Sequence, residues 1–517
     1  MKLNDKLHIA WKRIKVDRST DFIIGDFEYE VFDYYKKDLI GNLEEKIVKQ
    51  EEYVPQPLRS IRVPKTSYTT RPGAVPDLFD RIYYQYLVDE IADEIEDNLI
   101  PISENVVHSY RYIKKRDAAN MFLKSQANYS TFEQRTMELA EEHKFIVVTD
   151  ISSYFERIYH HELENTIRAL GASADIVDKL MSLLRKWRRG NSYSIPQGIW
   201  PSDYLGNVYL DPIDKLMFRK GINYCRFVDD IRIGVNSYKE AQSILLLLEE
   251  KLSSLGLTLN DAKTKIISND EVESNLFPQK KRIEEIKKDI KWERLLSSFN
   301  PYDDSEQLED DDEYVDLTSI RELFREQLEL EHPIPSIARF CLKHLKKFSD
   351  NDILDDVLEN LDKLVVVTPQ VVGYLNTIYQ NDDIFVKMEI SSRLSETFKD
   401  ELWSYDWQIM WYLHLMNKFN DLESDEVNAV RSLLINRTRE LHDAVLVNGL
   451  LFLGKHGDNA DLEWILGLFD NYSLWVKNAI IFSLRNLTKT KRNHFYSYCV
   501  GQNLLIDKII EYVKLKY

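Results

Sequence analysis

The chain has 517 residues and a mass of 61.1 kDa, more than one core accommodates, since single cores stop growing near ~250–300 residues. Its 44% hydrophobic content, with 22 Phe, 29 Tyr and 9 Trp, excludes a wholly disordered chain, and no run approaches the ~20 apolar residues of a membrane helix. The net charge of −18 looks hostile to nucleic acid, but residues 1–300 hold 45 Lys and Arg against 48 Asp and Glu, while residues 301–517 hold 23 against 38. The acidity belongs to the C-terminal part, which leaves the first part free to build a local basic groove.

The start, Met1-Lys-Leu-Asn-Asp-Lys6, is charged and leads to Trp11 rather than to an apolar stretch, so no secretory leader is expected. Cys225, Cys341 and Cys499 lie too far apart for a metal-binding pair or a disulfide framework, and a reducing cytoplasmic compartment is the expectation. Beyond Tyr29, Tyr34 and Tyr35 comes Tyr53-Val-Pro-Gln-Pro-Leu-Arg-Ser-Ile-Arg-Val-Pro-Lys65, followed by Arg71-Pro and Asp80-Arg81. Phe145-Ile-Val-Val-Thr149 reads as a short buried strand ending at Asp150. Helices are predicted over 173–187, with Ser173 as N-cap, and over 202–210 after the turn Pro196-Gln-Gly-Ile-Trp-Pro201. Tyr224–Val235 reads as a hairpin with Asp229 and Asp230 at its turn, and Leu255–Leu259 as strand-like before Asn260-Asp-Ala-Lys263.

The stretch 301–313 combines Pro301 with a dense acidic run and reads as an interdomain linker. After it, helical patterns follow at 336–348, 353–364, 403–419, 426–435, 443–453, 462–469 and 474–487, separated by short Gly, Asn and Pro breaks. Paired amphipathic helices at that pitch suggest a HEAT-like α-solenoid over 314–517. The whole is thus expected to be α+β over 1–300 and all-α after the linker.

A carboxylate at a strand end and another at a hairpin tip can meet on one sheet edge, where hard oxygens hold two Mg²⁺ ions that clamp an in-line phosphoryl transfer. Asp-Asp at a turn is by itself a common structural choice, and the neighbouring segments carry the sharper signal. In order, Asp150-Ile-Ser-Ser-Tyr-Phe155, Gln197-Gly-Ile-Trp-Pro-Ser202, Phe227-Val-Asp-Asp230 and Asn260-Asp-Ala-Lys-Thr264 resemble motifs A to D of the reverse transcriptase palm. The Pro- and Arg-rich series over 53–81 is similar to the fingers of group II intron and related bacterial enzymes, and the resemblance spans roughly 50–270. Phe227 stands where many of these enzymes have Tyr. The extensions of motifs B and C, together with a helical second half, are similar to the AbiK-like and prophage-encoded abortive-infection (Abi) branch of the bacterial "unknown group" reverse transcriptases.

The resemblance implies a fingers and palm domain at 1–300 and a HEAT-like domain at 314–517. It implies Asp150, Asp229 and the Ile151 carbonyl as ligands of two Mg²⁺ ions (Mn²⁺ being an alternative), and Asp230 as a supporting carboxylate. Lys263 would protonate or neutralise the leaving pyrophosphate, and Lys65 and Arg71 would grip the triphosphate. Phe155 would be a steric gate favouring dNTPs, with Gln197, Gly198 and Ser202 bordering the nucleotide. The branch further implies antiphage abortive infection by untemplated DNA synthesis from a protein hydroxyl, with single-stranded DNA left attached, in a bacterial cytoplasmic homo-oligomer. Tyr29, Tyr34 and Tyr35 are the priming candidates. Arg185-Lys-Trp-Arg-Arg189 and Lys280-Lys-Arg282 are candidate strand contacts. The alternatives are an RNA-templated enzyme using a noncoding RNA, and an inactive polymerase fold serving as a phage-sensing scaffold.

Overall fold

The structure is a computed structural model that describes residues 1–20, 22–49, 53–66, 68–115, 117–123, 128–277, 317–381, 383–398, 405–420, 422–435 and 440–517. The acidic stretch 301–313 and Lys280-Lys-Arg282 lie outside the described residues. The chain divides into two compact units, one drawn from 1–21, 43–59 and 74–314, the other from 22–42, 60–73 and 315–517.

The first unit is built on a four-stranded antiparallel sheet. Its strands are β3 (Phe145–Thr149), β4 (Tyr224–Phe227), β5 (Asp230–Val235) and β6 (Lys265–Ser268), in the order β4-β5-β3-β6. The β-branched run of β3 suits a central strand buried on both faces, and Ile146 and Val147 are fully buried. Thr149 pairs with Ile231 and Phe145 with Val235, while Val148 pairs with Lys265 on the other side. A one-residue slip would turn every β3 side chain to the opposite face, so this register is tightly specified. The helix Tyr129–Glu142 packs on β4 and β5; it opens with a capping box between Asn128 and Thr131, which satisfies two otherwise orphan amide groups. The helix Leu78–Asn98 buries Leu87, Val88, Ile91 and Ile95 completely and packs against the helices Ala174–Trp187 and Trp200–Tyr209. Ser173 stands at the N-cap position of its helix as expected, but its hydroxyl makes no capping bond.

The expected strand at Leu255–Leu259 is not one. The chain turns at Leu255 and Gly256, touches the sheet region through an isolated bridge, Ile151 with Leu259, and the regular strand comes later as β6. Earlier in the chain, β1 (Arg59–Pro64) and β2 (Thr70–Val75) form a two-stranded sheet, its tip closed by the Lys65 amide donating to the Thr69 carbonyl at 2.8 Å.

Helices dominate the second unit. Counting from Pro335–Lys347, alternate helices pack in succession: Thr368–Asn381, Asp406–Lys418, Asp443–His456, Leu474–Ser483 and Leu504–Lys516. The helix Asp26–Tyr34 belongs with them rather than with the sheet. Its Phe27, Val31 and Phe32 are buried, Phe27 lies 5.3 Å from the Phe482 ring, and Glu28 accepts from the Asn478 side chain at 2.8 Å. Trp407 Nε1 donates to the Phe22 carbonyl at 2.8 Å. An apolar helix face must be covered, and residues of this unit cover it. All three cysteines are buried and free. No helix of the described residues is long and apolar enough to cross a membrane.

Candidate active site

β3 delivers Asp150 to the end of the sheet where the β4–β5 hairpin turns. Because Thr149 faces Ile231, Asp150 comes up beside the residues that precede Ile231, namely Asp229 and Asp230. Asp150 is buried, and its carbonyl accepts from the Asn260 amide at 2.8 Å. The segment 258–264 is laced alongside: Ser152 N donates to the Thr258 carbonyl at 2.9 Å, and the Thr149 and Thr264 hydroxyls lie 2.8 Å apart. This lacing brings Lys263 into an ion pair with Asp150. Burial opposes the charge on Lys263, but the hydrogen bond and charge of Asp150 outweigh it and raise the ammonium above its ordinary value. Burial, then the negative charges of Asp230 and Asp150, push the Asp229 carboxyl well above the usual carboxylate range. Asp150, Asp229 and Lys263 thus form one electrostatically linked group.

The hairpin turn differs in detail from the sequence expectation. Phe227 pairs with Asp230, so Val228 and Asp229 make the two-residue turn and Asp230 is the first residue of β5. There it points along the strand to Arg232, 3.8 Å away. Val228 has a φ of +55°. Positive φ at the first central residue alone is the pattern of a type II′ turn, a position glycine normally fills, and a β-branched residue there is a true outlier.

A buried polar net pins this strained turn. The Val228 amide donates to Ser109 Oγ at 2.9 Å, and Ser109 donates to Asn207 Oδ1 at 2.9 Å. Arg226, fully buried, donates to the Val228 carbonyl at 3.1 Å, to Asn207 Oδ1 at 2.7 Å and to Asp214 Oδ2 at 2.6 Å. Asn207 lies on the helix Trp200–Tyr209 and Asp214 on the helix Asp211–Arg219. Strain of this kind persists only where the surroundings over-determine the geometry. Here three elements do so.

Phe155 is half-buried and lies over Gly206, whose missing side chain makes the room: a Cβ there would sit 2.8 Å from Phe155 Cε1. Gly198, half-buried beside Gln197, has a φ of +98°, which favours glycine. Gln197 accepts at its carbonyl from the Ala74 amide at 3.2 Å. Ser202 is fully buried and its hydroxyl lies 3.0 Å from that of Tyr84, an interior pairing.

Lys65 is exposed at the β1–β2 tip, and Arg71 stacks over the Phe22 ring at 4.8 Å; both fall in the second unit. Tyr29, Tyr34 and Tyr35 fall there too. Tyr29 is buried, whereas Tyr34 is 52% exposed with its ring edge-on to Tyr35 and Tyr512. Tyr35 is half-buried beneath Lys508, and burial raises its phenol above the ordinary value.

No group of three or more His, Cys, Asp or Glu side chains stands ready for a metal ion among the described residues. The donor set on offer is Asp150 and Asp229 with the neighbouring main chain. Two carboxylates whose charges oppose each other, both with hard oxygens, fit a divalent cation such as Mg²⁺ by chemistry.

Residues 63–291 match the family model described as reverse transcriptase (RNA-dependent DNA polymerase), a span that encloses Asp150, Asp229 and Lys263. That part of the chain, somewhat less than half of it, is similar to a reverse-transcriptase domain. Protein YkfC of Escherichia coli (strain K12) is 24% identical over 258 residues, 41% of this chain, and the match spans 64% of the length of that relative. A telomerase from Candida albicans, solved in complex with a TWJ fragment of telomeric RNA, is similar at a TM-score of 0.30 and 12% identity over 93% of this chain and 70% of its own; at that score it bears on nothing further.

Within the matched residues 63–291, sequence reading missed Ser109, Asn207, Asp214 and Arg226. A charged residue inside the apolar run Tyr224–Val228 was the available signal, since an arginine on a strand buried on both faces requires a partner. Asn260 was quoted only as part of a motif, yet its amide holds Asp150.

Proposed function

We propose that the protein is a DNA polymerase of the reverse-transcriptase type whose chemistry is carried by Asp150, Asp229 and Lys263. The observation supporting it is that residues from three separate segments converge at one end of one sheet, with Lys263 paired to Asp150. Asp150, Asp229 and the Ile151 carbonyl would hold Mg²⁺, which when bound supplies charge neutralisation at the reacting phosphate and lowers the pKa of the attacking hydroxyl. Lys65 and Arg71 would grip the triphosphate. The hydroxyl gives up its proton to solvent as its oxygen bonds to the α-phosphorus and the bond to the bridging oxygen breaks, and pyrophosphate leaves with a proton from the Lys263 ammonium. Phe155, seated against Gly206, would exclude a ribose 2′-OH; Asp230 would act through the turn rather than on the substrate.

The finer reading is an antiphage abortive-infection enzyme making untemplated DNA that stays attached to a tyrosine of the chain. It rests on the likeness of the extended motifs to the AbiK-like branch, and on the succession of alternate helices packing through the second unit, which supports a HEAT-like reading. Of the three candidate primers we favour Tyr34, the exposed one. Its phenol is a suitable nucleophile once activated. A homo-oligomer is part of the same reading. The second reading, an RNA-templated enzyme, is favoured by the match to an RNA-dependent DNA polymerase family.

The deciding experiment uses nuclease-treated protein with Mg²⁺ and labelled dNTPs, with neither template nor primer. Label that migrates with the protein on a denaturing gel and collapses on proteolysis, and that is lost in Tyr34→Phe, is the expected result. Product only on addition of RNA and a primer would replace this reading with the templated one.

A further inference from the structure

Just beyond the Asp150 turn, two tyrosine rings stand in solvent on a rigid support. Tyr159 is 44% and Tyr193 43% exposed, and their rings meet at 6.3 Å with 66° between planes. The two residues form an isolated antiparallel bridge, tightened on both sides by His160 N donating to the Ser192 carbonyl at 2.9 Å and Ser194 N to the Ile158 carbonyl at 2.8 Å. Tyr159 N further donates to the Tyr209 hydroxyl at 3.3 Å. Gly256, with a φ of +74°, lies directly beneath the Tyr159 ring, where a Cβ would come within 1.9 Å of Cε2. These rings are therefore placed, not loose, although no core demands them.

Positive charge gathers beside them. The helix Ala174–Trp187 carries Arg185 and Lys186 in its last turn, and Arg188 and Arg189 follow it just before the bridge of Tyr193. Arg185 and Arg189 are exposed and Arg188 half-buried, and among the described residues none of the three forms an ion pair. Among the described residues Arg185 Nε bonds only to the Met181 carbonyl of its own helix at 3.1 Å. That the patch and the rings adjoin is visible at His160, next to Tyr159: burial lowers its pKa most, and the charges of Arg185 and Arg188 lower it further. A helix C-terminus already favours cations, but three unpaired arginines beside two exposed rings exceed what that end requires.

We propose that Tyr159 and Tyr193, with Arg185, Arg188 and Arg189, form a stacking platform for a single-stranded nucleic acid entering or leaving the polymerase site. Bases have a π-face whatever their identity, so rings supply affinity without sequence preference, and the arginines meet the phosphates. This deepens the polymerase reading, and rests on it for what the strand does there. The platform itself stands on binding alone.

The test is fluorescence anisotropy of full-length protein with labelled dT20 and, separately, rU20, across a salt series. Tyr159→Ala and Tyr193→Ala should each weaken binding about tenfold, while Tyr159→Phe and Tyr193→Phe bind as the wild type. The double variant Arg185→Gln/Arg189→Gln should flatten the dependence of log affinity on log salt by about 0.7 per arginine lost. Thermal unfolding of each variant is recorded alongside. Alanine variants that fold and bind normally, phenylalanine variants as weak as alanine ones, or a wild-type protein that binds neither probe would each overturn the platform. The relative affinity for dT20 and rU20 tells DNA from RNA. Failure of the polymerase reading would show differently, as no nucleotide incorporation by a protein that still binds the strand through these rings.

Discussion

The β4–β5 hairpin and the β1–β2 hairpin both carry residues expected to meet the nucleotide, and they are anchored in opposite ways. At the first, Asp229 sits in a two-residue turn whose Val228 is strained and whose amide and carbonyl are bonded into the core through Ser109 and Arg226. At the second, Lys65 stands on an exposed tip where the Lys65 and Thr66 amides donate to the Thr69 carbonyl, the two threonine hydroxyls meet, and the Tyr68 ring lies edge-on to His332 at 4.7 Å. A metal ligand must be held to a fraction of an ångström. A cation that would gather a flexible triphosphate need not be, and an exposed tip would serve it. Even the stems differ: β4 leans on a permanently charged arginine, whereas the chain entering β1 is fixed by a titratable carboxyl. Asp80 accepts from the Tyr53 hydroxyl and the Gln56 amide, both at 2.7 Å, and Arg59 pairs with Asp77 at 3.2 Å.

The largest expected effect breaks the rigid side chemically. Asp229→Asn should lower nucleotide incorporation by about a hundredfold to a thousandfold, the scale on which loss of a central electrostatic group acts, while leaving the urea midpoint equal or higher because a buried, mutually repelling carboxylate is removed. Retained incorporation would show that the palm turn is not the site. Next comes the anchor itself. Arg226→Ala leaves Asp214 and Asn207 buried without their partner, which costs about 3–5 kcal/mol. A change under about 1 kcal/mol in urea unfolding would mean that the net does not hold the turn.

The stem of the other hairpin should instead respond to pH. Burial, with Asp77 nearby, raises the Asp80 carboxyl to about 8. Between its ordinary value near 4 and that value, the folded protein keeps a proton that the unfolded chain has lost. Stability therefore falls as pH rises through this window, by up to about 1.4 kcal/mol per pH unit. Asp80→Asn mimics the protonated form, so its urea midpoint should fall less than that of the wild type between pH 6 and 8. Parallel loss in both proteins would assign the pH dependence elsewhere.

Much of the rigid hairpin was legible in the sequence. The run Phe145–Thr149, the hairpin arms around 229 and the helices on either side follow from period and punctuation, and the motif order pointed to Asp150, Asp229 and Lys263. What could not be read is the source of their precision. Arg226 in a strand resembles a surface residue until Asp214 and Asn207, contributed by two different helices, are brought against it. Asp230 reads as a turn residue because Asp-Asp favours turns, and only strand pairing assigns the turn to Val228, a residue that intrinsic preference would never choose for it. Leu255–Leu259 has the alternation of a strand but bonds to the chain after β3 at isolated points. Likewise the apolar face of Asp26–Tyr34 is plain in the sequence, while the residues that cover it, more than 440 positions later, are not.

The smallest effect tests whether the strain at Val228 is real. At an ordinary buried position Ala is more stable than Gly, because glycine loses about 0.5–1 kcal/mol more backbone entropy on folding. At positive φ an alanine retains a penalty of about 1–2 kcal/mol that glycine escapes. Both substitutions lose nearly the same apolar contact from a side chain that is 8% exposed, so the burial term almost cancels between them. Val228→Gly should then equal or exceed Val228→Ala in urea unfolding by up to about 1 kcal/mol, the reverse of the usual order. If Ala is clearly the more stable, the turn is relaxed, and the net of Ser109, Asn207 and Arg226 holds the aspartate against thermal motion rather than against strain.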